Sequence, residues 1–130
     1  LASRPYIFTA SPSPSTVASV RAALSTLRSR PELRARLWEN AEHLYRGLEA
    51  LGYRLGPEVS PVVAAFLGSP EQALGAWRRL LEEEGVYVNL MMPPATPGGE
   101  SLLRCSVSAA HTHEQIDQVL AAFQALKEAS

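Results

Sequence analysis

The sequence contains very little lysine, aspartate or cysteine: each occurs once in 130 residues, as Lys127, Asp117 and Cys105. A single cysteine excludes a disulfide framework within the chain, and no Cys/His spacing is typical of a zinc site. The longest apolar stretch, Val62 to Leu67, is far shorter than the ~20 residues of a membrane-spanning helix, and no signal-peptide pattern is present. We therefore expect a cytoplasmic protein with no metal site.

The overall composition is that of a globular domain. Hydrophobic residues make up 46% of the chain and charged residues 19%, which is enough apolar material for a core and too little charge for disorder. The net charge is −1, so nothing favours binding to nucleic acid. Because the sequence opens with Leu1 and not methionine, we expect it to be a piece of a longer protein or a processed product.

Two helices are predicted in the first half. Ser13 and Pro14 form a helix start, with serine as the cap and proline at the first helical position. A second helix is expected from about Pro31 to Gly52. Both carry apolar residues at helical spacing, and Trp38 broadens the second stripe; such stripes normally face a core. The stripe residues are Val17, Val20, Leu24 and Leu27, then Leu33, Leu37, Ala41, Leu44, Tyr45, Leu48 and Leu51.

The second half predicts the order strand, helix, strand, strand, helix. The strands are expected at 62–67, 86–91 and 102–108, and the helices begin at the capping boxes Ser69–Gln72 and Thr112–Gln115. These elements indicate an α+β fold with a three-stranded, mainly antiparallel sheet and helices on one face. We divide the chain into 1–52, the lead-in segment with two helices, and 53–130, a small α+β domain.

Arg104 is the residue most clearly suited to binding. Alternation along its strand puts Leu103 and Cys105 on the helix side and Arg104 on the other. A guanidinium holds a carboxylate by two parallel hydrogen bonds. From the pattern alone, an internal salt bridge or a solvent-facing arginine is the better explanation of the position.

The proline-rich loop before that strand, Pro93 to Gly99, is a second candidate, since loops often carry binding residues; a plain stiffened connection is the alternative. Three histidines, His43, His111 and His113, have no Ser, Cys or Asp partner at a recognisable spacing, so no catalytic triad is predicted. Cys105 is expected to face the core and to be inert.

Several segments in order resemble the α-oxoamine synthase family, and most closely its serine palmitoyltransferase branch. They are Arg4-Pro5-Tyr6-Ile7-Phe8-Thr9-Ala10-Ser11, Val86-Tyr87-Val88-Asn89-Leu90, Pro93-Pro94-Ala95-Thr96-Pro97, Leu103-Arg104-Cys105-Ser106 and Ser108-Ala109-Ala110-His111-Thr112. The proline loop is the most specific of these. The resemblance covers nearly the whole chain.

The resemblance implies the C-terminal domain of a fold-type I, pyridoxal-phosphate-dependent homodimer that condenses an amino acid with an acyl-CoA and releases CO2. It implies that Arg104 binds the substrate carboxylate, and that Thr9 and Ser11 reach the cofactor phosphate of the partner subunit. It assigns a mobile loop over the substrate to Pro93, Pro94, Ala95, Thr96 and Pro97.

Two departures from the family pattern matter. Met92 stands where serine palmitoyltransferases often place an arginine, which leaves the amino acid and the acyl donor open. Other members of the family, such as 8-amino-7-oxononanoate synthase and 2-amino-3-ketobutyrate CoA ligase, are therefore alternatives. The cofactor-bearing lysine is also lacking, because Lys127 lies in a polar run near the end of the last helix and is a poor Schiff-base candidate. We therefore expect this chain to be inactive without a missing N-terminal cofactor domain.

Two rival interpretations remain. The strand and helix order is most of a ferredoxin-like pattern, so a small-molecule regulatory domain fits the topology, and a purely structural dimerisation domain is a third possibility. Neither needs the Ala-Ala-His segment that ends at His111 or the helix start at Pro14. A lysine-bearing cofactor motif directly upstream of Leu1 would decide for the enzyme.

Overall fold

The computed structural model describes residues 12–128, except for the side chain of Pro97. The chain divides between Leu33 and Arg34 into two compact units. No helix in the described range is long and apolar enough to cross a membrane. The elements are α1 Pro14–Ser29, α2 Pro31–Ala50, β1 Arg54–Leu55, β2 Val62–Leu67, α3 Pro70–Glu82, β3 Asn89–Met91, a 3-10 turn Pro97–Gly99, β4 Ser101–Ser106 and α4 His113–Glu128.

The helices begin where the sequence predicts. The side chain of Ser13 accepts a backbone N–H from the first turn of α1. Ser69 and Gln72 satisfy each other's backbone N–H groups at the start of α3, and Thr112 and Gln115 do the same before α4. Each reciprocal pair removes two of the unpaired donors at a helix N-terminus.

The sheet has four strands in the order β1-β2-β4-β3, and every pairing is antiparallel. The α+β class and the antiparallel arrangement are confirmed, but the expected count of three strands is wrong. The added strand, β1, is only two residues long and pairs Arg54 with Phe66 and Leu55 with Ala65. So short a segment carries no period-2 pattern that sequence reading could detect.

The expected strand at 86–91 is also shorter than predicted, since only its last three residues pair with β4. The backbone N–H of Val86 bonds instead to the carbonyl of Leu80 at the end of α3, at 2.7 Å. The carbonyl of Val88 accepts the indole N–H of Trp77 at 2.9 Å. The apolar character of Val88 reflects burial against helices and not membership of a strand.

The core of the second unit lies between one face of the sheet and the helices. Leu80 of α3 and Phe123 of α4 are fully buried, as their helical spacing predicts, whereas Leu74 and Leu81 of the same predicted stripe on α3 are 43% and 38% exposed. Leu103 on β4 points into this core while Arg104 does not. The core residues are Leu44, Tyr45, Leu48, Val63, Ala65, Leu80, Val88, Leu103, Cys105, Ile116, Ala122, Phe123 and Leu126.

Two further predicted apolar features, on α1 and α2, are exposed. The four stripe residues of α1 are 48–58% exposed, and α1 has no buried residue. Trp38 on α2 is 46% exposed, so it does not extend the buried stripe that Leu44 and Leu48 form. Helical spacing shows that residues share a face, but it does not show what covers that face.

Replacing Trp77 by alanine is expected to lower the free energy of unfolding by about 2–3 kcal/mol, because a partly buried indole and its hydrogen bond to Val88 are lost. Trp38→Ala is the matched control and is expected to change it by no more than about 0.5 kcal/mol. Urea unfolding followed by circular dichroism measures both. An equal loss for the two variants would contradict the burial described above.

Candidate functional site

Arg104 lies on the open face of the sheet, in the middle of β4. Its chain neighbours Leu103 and Cys105 are buried, whereas Arg104 is exposed. Within residues 12–128 no side chain makes an ion pair or hydrogen bond with its guanidinium. The described part of the chain therefore supplies no salt bridge to this residue, and both edges of the guanidinium are free to bind an added carboxylate.

Asn89 is the polar residue paired with Arg104 on the neighbouring strand. The register of β3 and β4 places the two residues directly opposite each other, a relation that brings side chains within about 5 Å at Cβ. The hydroxyl of Tyr87 donates to Oδ1 of Asn89 at 3.1 Å. This bond orients the amide and leaves its Nδ2 hydrogens available, so the face presents amide and guanidinium donors side by side.

The sequence did not single out Asn89, although it belongs to the segment that carries the resemblance. Asn89 is identified as a site residue by the strand register, in which Met91 pairs with Leu102 and Asn89 pairs with Arg104. The register of two strands joined by a long loop is set by that loop's conformation, and composition does not reveal it.

The proline-rich loop joins β3 to β4 beyond their last pair, Met91 and Leu102, and Leu102 is two residues from Arg104 along β4. Pro93, Pro94 and Ala95 are exposed, while Thr96 is 9% exposed. The Thr96 hydroxyl has no hydrogen-bond partner in the described part of the chain. A buried hydroxyl without a partner is unfavourable, so this loop conformation leaves a donor unused.

Met92, at the start of this loop, is 39% exposed. It supplies no charge, so Arg104 is not backed by a second cation from this position.

A buried amide holds the segment that follows β4. Asn40 of α2 is 2% exposed, and its Nδ2 donates to the carbonyls of Ser108 and His111 at 2.9 and 3.0 Å. The ring Nδ1 of His111 accepts the backbone N–H of Ser108 at 3.1 Å. The turn after the arginine strand is thus fastened to α2, and the role of His111 is to close that turn.

The other candidates for nucleophilic chemistry are placed unfavourably. Burial raises the pKa of the Cys105 thiol to about 12, so the reactive thiolate is scarce near neutral pH. The tertiary structure pairs His43 Nε2 with Asp117 Oδ1 at 2.7 Å on the surface between α2 and α4. No described hydroxyl or thiol side chain is hydrogen-bonded to this imidazole, so the pair is not a catalytic triad.

Thr9 and Ser11 are predicted to contact the cofactor phosphate, whereas Lys127 is predicted not to hold the cofactor. Thr9 and Ser11 lie outside the described residues. Lys127 is exposed and donates Nζ–H to the carbonyl of Gly52 at 3.0 Å. An exposed lysine near the end of the last helix is a poor candidate for the Schiff-base lysine.

No group of three or more His, Cys, Asp or Glu residues within 12–128 is arranged to hold a metal ion.

The chain matches the model of the aminotransferase class I and II family over residues 1–123. The serine palmitoyltransferase of Caulobacter vibrioides is 55% identical over 117 residues, which are 90% of this chain and 29% of that protein. The enzyme of that name from Sphingomonas paucimobilis is 52% identical over 127 residues, 96% of this chain and 30% of that protein.

The solved structures that resemble this chain include a protein of the same name as these relatives. A structure of the S. paucimobilis serine palmitoyltransferase with bound PLP and myriocin has a TM-score of 0.87 at 51% identity, and the match covers 97% of this chain and 32% of that one. The chain thus spans about 30% of the length of the relatives it matches. Since the family match covers nearly the whole chain and the serine palmitoyltransferases are more than half identical to it, this chain belongs to the aminotransferase class I and II family and, within it, to the α-oxoamine synthases.

Proposed function

We propose that this chain is the C-terminal part of a pyridoxal-phosphate-dependent enzyme that condenses L-serine with an acyl-CoA and releases CO2. This is the reaction that begins sphingolipid biosynthesis. The observation that carries the proposal is the unpaired guanidinium of Arg104 on an open sheet face beside the Pro93–Pro97 loop. The relatives named serine palmitoyltransferase support the choice of serine.

In this proposal Arg104 binds the carboxylate of the amino acid by two parallel hydrogen bonds, and Asn89 adds a third donor from the neighbouring strand. Holding the carboxylate in one orientation determines which bond to Cα is aligned for cleavage, and such positioning contributes several kcal/mol to catalysis. Pyridoxal phosphate, when bound, withdraws the electron pair that this cleavage leaves on Cα.

The loop of Pro93, Pro94, Ala95, Thr96 and Pro97 closes over the substrate in this proposal. The unpartnered Thr96 hydroxyl supports it, because a rearrangement that gives this group a partner removes an unfavourable feature of the present conformation. Thr9 and Ser11 contact the cofactor phosphate of the partner subunit in a homodimer.

The two segments of the chain have different positions in the proposed full-length enzyme. Residues 1–52 join the missing N-terminal cofactor domain, and residues 53–130 are the small domain. Lys127 does not hold the cofactor, so the Schiff-base lysine belongs to the missing domain. A reduced, buried Cys105 suits a cytoplasmic enzyme.

A second candidate is 8-amino-7-oxononanoate synthase activity. A putative enzyme of that name from Desulforudis audaxviator is 44% identical over 97% of this chain. Met92, in place of the loop arginine, is the residue that leaves the amino-acid substrate open between the two.

The test is a CoA-release assay on the full-length protein with a long-chain acyl-CoA and either L-serine or L-alanine. Turnover with L-serine, accompanied by CO2, is expected. Preference for L-alanine would replace the first candidate with the second.

The 130-residue chain alone is expected to show no absorbance band from covalently bound pyridoxal phosphate. A stable band that Lys127→Met removes would overturn the assignment of the lysine to the missing domain.

A further inference from the structure

A groove of about 570 Å³ lies between the β1–β2 edge of the sheet, α3 and the last turn of α4. All of its lining residues belong to the unit that begins at Arg34. Neither Arg104, Asn89 nor any residue of the proline-rich loop lines it. Its volume is in the range of small-molecule sites, roughly 300–1,000 Å³, so it is large enough for an organic ligand apart from the proposed active site.

Three of the residues that line the groove are cationic. Arg54, Arg79 and Lys127 all contribute to it, and no described Asp or Glu does. Arg54 pairs with Glu100 at 2.7 Å and Arg79 with Glu83 at 3.1 Å, but neither carboxylate belongs to the lining. Each pair leaves part of its guanidinium without a carboxylate, and Lys127 adds a cation with no ion pair in the described residues, so the lining has an excess of positive charge that favours an anion.

Lys127 is held in position without a carboxylate. Its Nζ donates to the carbonyl of Gly52 and lies 5.0 Å from the centre of the Tyr53 ring. An ammonium has three N–H donors, and no ion pair of Lys127 is found within residues 12–128. Gly52 has φ +76°, and a Cβ there would lie 3.0 Å from Nζ, so glycine keeps this contact open. Two donors of the ammonium remain for a ligand.

The groove also has an apolar side. The Phe66 ring lines it with the Arg54 guanidinium stacked 4.4 Å from the ring centre. Gly75 lines it from the middle of α3, where glycine disfavours a helix relative to alanine. A Cβ at Gly75 would meet no atom within 4 Å, so packing does not require this glycine. Its absent side chain widens the groove.

We propose that this groove binds a small phosphate monoester with an apolar body. The phosphate lies among Lys127, Arg79 and Arg54, where the two free donors of the ammonium and the remaining N–H groups of the two guanidiniums suit its three acceptor oxygens better than the two of a carboxylate. The apolar body packs beside Phe66 and over Gly75.

Titration of the ¹⁵N-labelled chain with phenyl phosphate, followed by NMR, tests the proposal. We expect saturable shifts of the amides of residues 52–54, 75–79 and 127. Phenol is expected to give none, and inorganic phosphate is expected to bind more weakly because it lacks the apolar body. Lys127→Met and Arg79→Met should each weaken binding about tenfold, since each removes a charge-assisted hydrogen bond.

Two further variants distinguish binding in the groove from nonspecific attraction to positive charge on the surface. Arg78→Met is the matched control: Arg78 is next to Arg79 on α3, pairs with Glu82 and does not line the groove. It should change affinity by less than about twofold. Gly75→Leu should abolish binding by filling the groove, and the spectrum reports whether it folds; Gly75→Ala, favoured by helix propensity, serves if it does not.

Three outcomes overturn the proposal: shifts that do not saturate, equal weakening by Arg78→Met and Arg79→Met, or unchanged binding when Gly75 carries a side chain.

Discussion

Replacing Arg104 by alanine in the full-length enzyme is expected to weaken L-serine binding by roughly 30- to 1,000-fold, about 2–4 kcal/mol, while pyridoxal phosphate stays bound. The reason is the loss of a two-pronged, charge-assisted contact for which the described residues offer no substitute cation, since Met92 carries no charge. Spectral titration of the cofactor with L-serine measures both the affinity and the retained cofactor.

Arg104→Lys should restore only part of this affinity, because an ammonium cannot reproduce the planar two-point geometry. Arg78→Ala, which removes an exposed arginine on α3 paired with Glu82, is the control and should leave the affinity unchanged. If Arg104→Ala binds L-serine and turns over as the wild type does, Arg104 is a solvent-facing strand residue and is not part of the site.

Phe123→Ala is expected to lower the free energy of unfolding of the chain by about 3–5 kcal/mol. Phe123 is fully buried in α4, and its ring meets the Tyr53 ring edge-on with centres 5.2 Å apart. Its backbone carbonyl accepts the Tyr53 hydroxyl at 2.7 Å. Removing the ring therefore leaves a cavity where α4 packs on the segment before β1. Chemical denaturation monitored by circular dichroism gives the value.

Phe66→Ala is the comparison of the same residue type. Phe66 is only partly buried on β2, so its loss should cost less than about half as much, because less apolar area is withdrawn from water. A Phe123→Ala variant as stable as Phe66→Ala would place the core elsewhere than between α4 and the sheet.

Much of the fold could be predicted because it rests on local signals. The helix starts at Ser13, Ser69 and Thr112 follow from a side chain and a backbone donor at most three residues apart, so the sequence contains all the information. The orientation of Arg104 follows equally directly, since alternation along one strand needs no knowledge of the rest of the chain.

The tertiary structure decided what depends on residues far apart. Asn89 stands opposite Arg104 because of a register that a long loop sets, and Asn40 reaches Ser108 across 68 positions. The exposure of Trp38 depends on which helix faces other elements cover. The same kind of packing decides that residues 86–88 lie outside the sheet.

The sequence by itself thus determined the α+β class, the helix starts, the likeness to the α-oxoamine synthases and the face on which Arg104 lies. Only the tertiary structure decided its neighbours, the fourth strand and the cationic groove that Arg54, Arg79 and Lys127 share. The physical reason is the separation along the chain of the residues that interact. Helix caps and strand alternation involve residues a few positions apart, whereas a binding site consists of side chains that the packing of distant elements brings together.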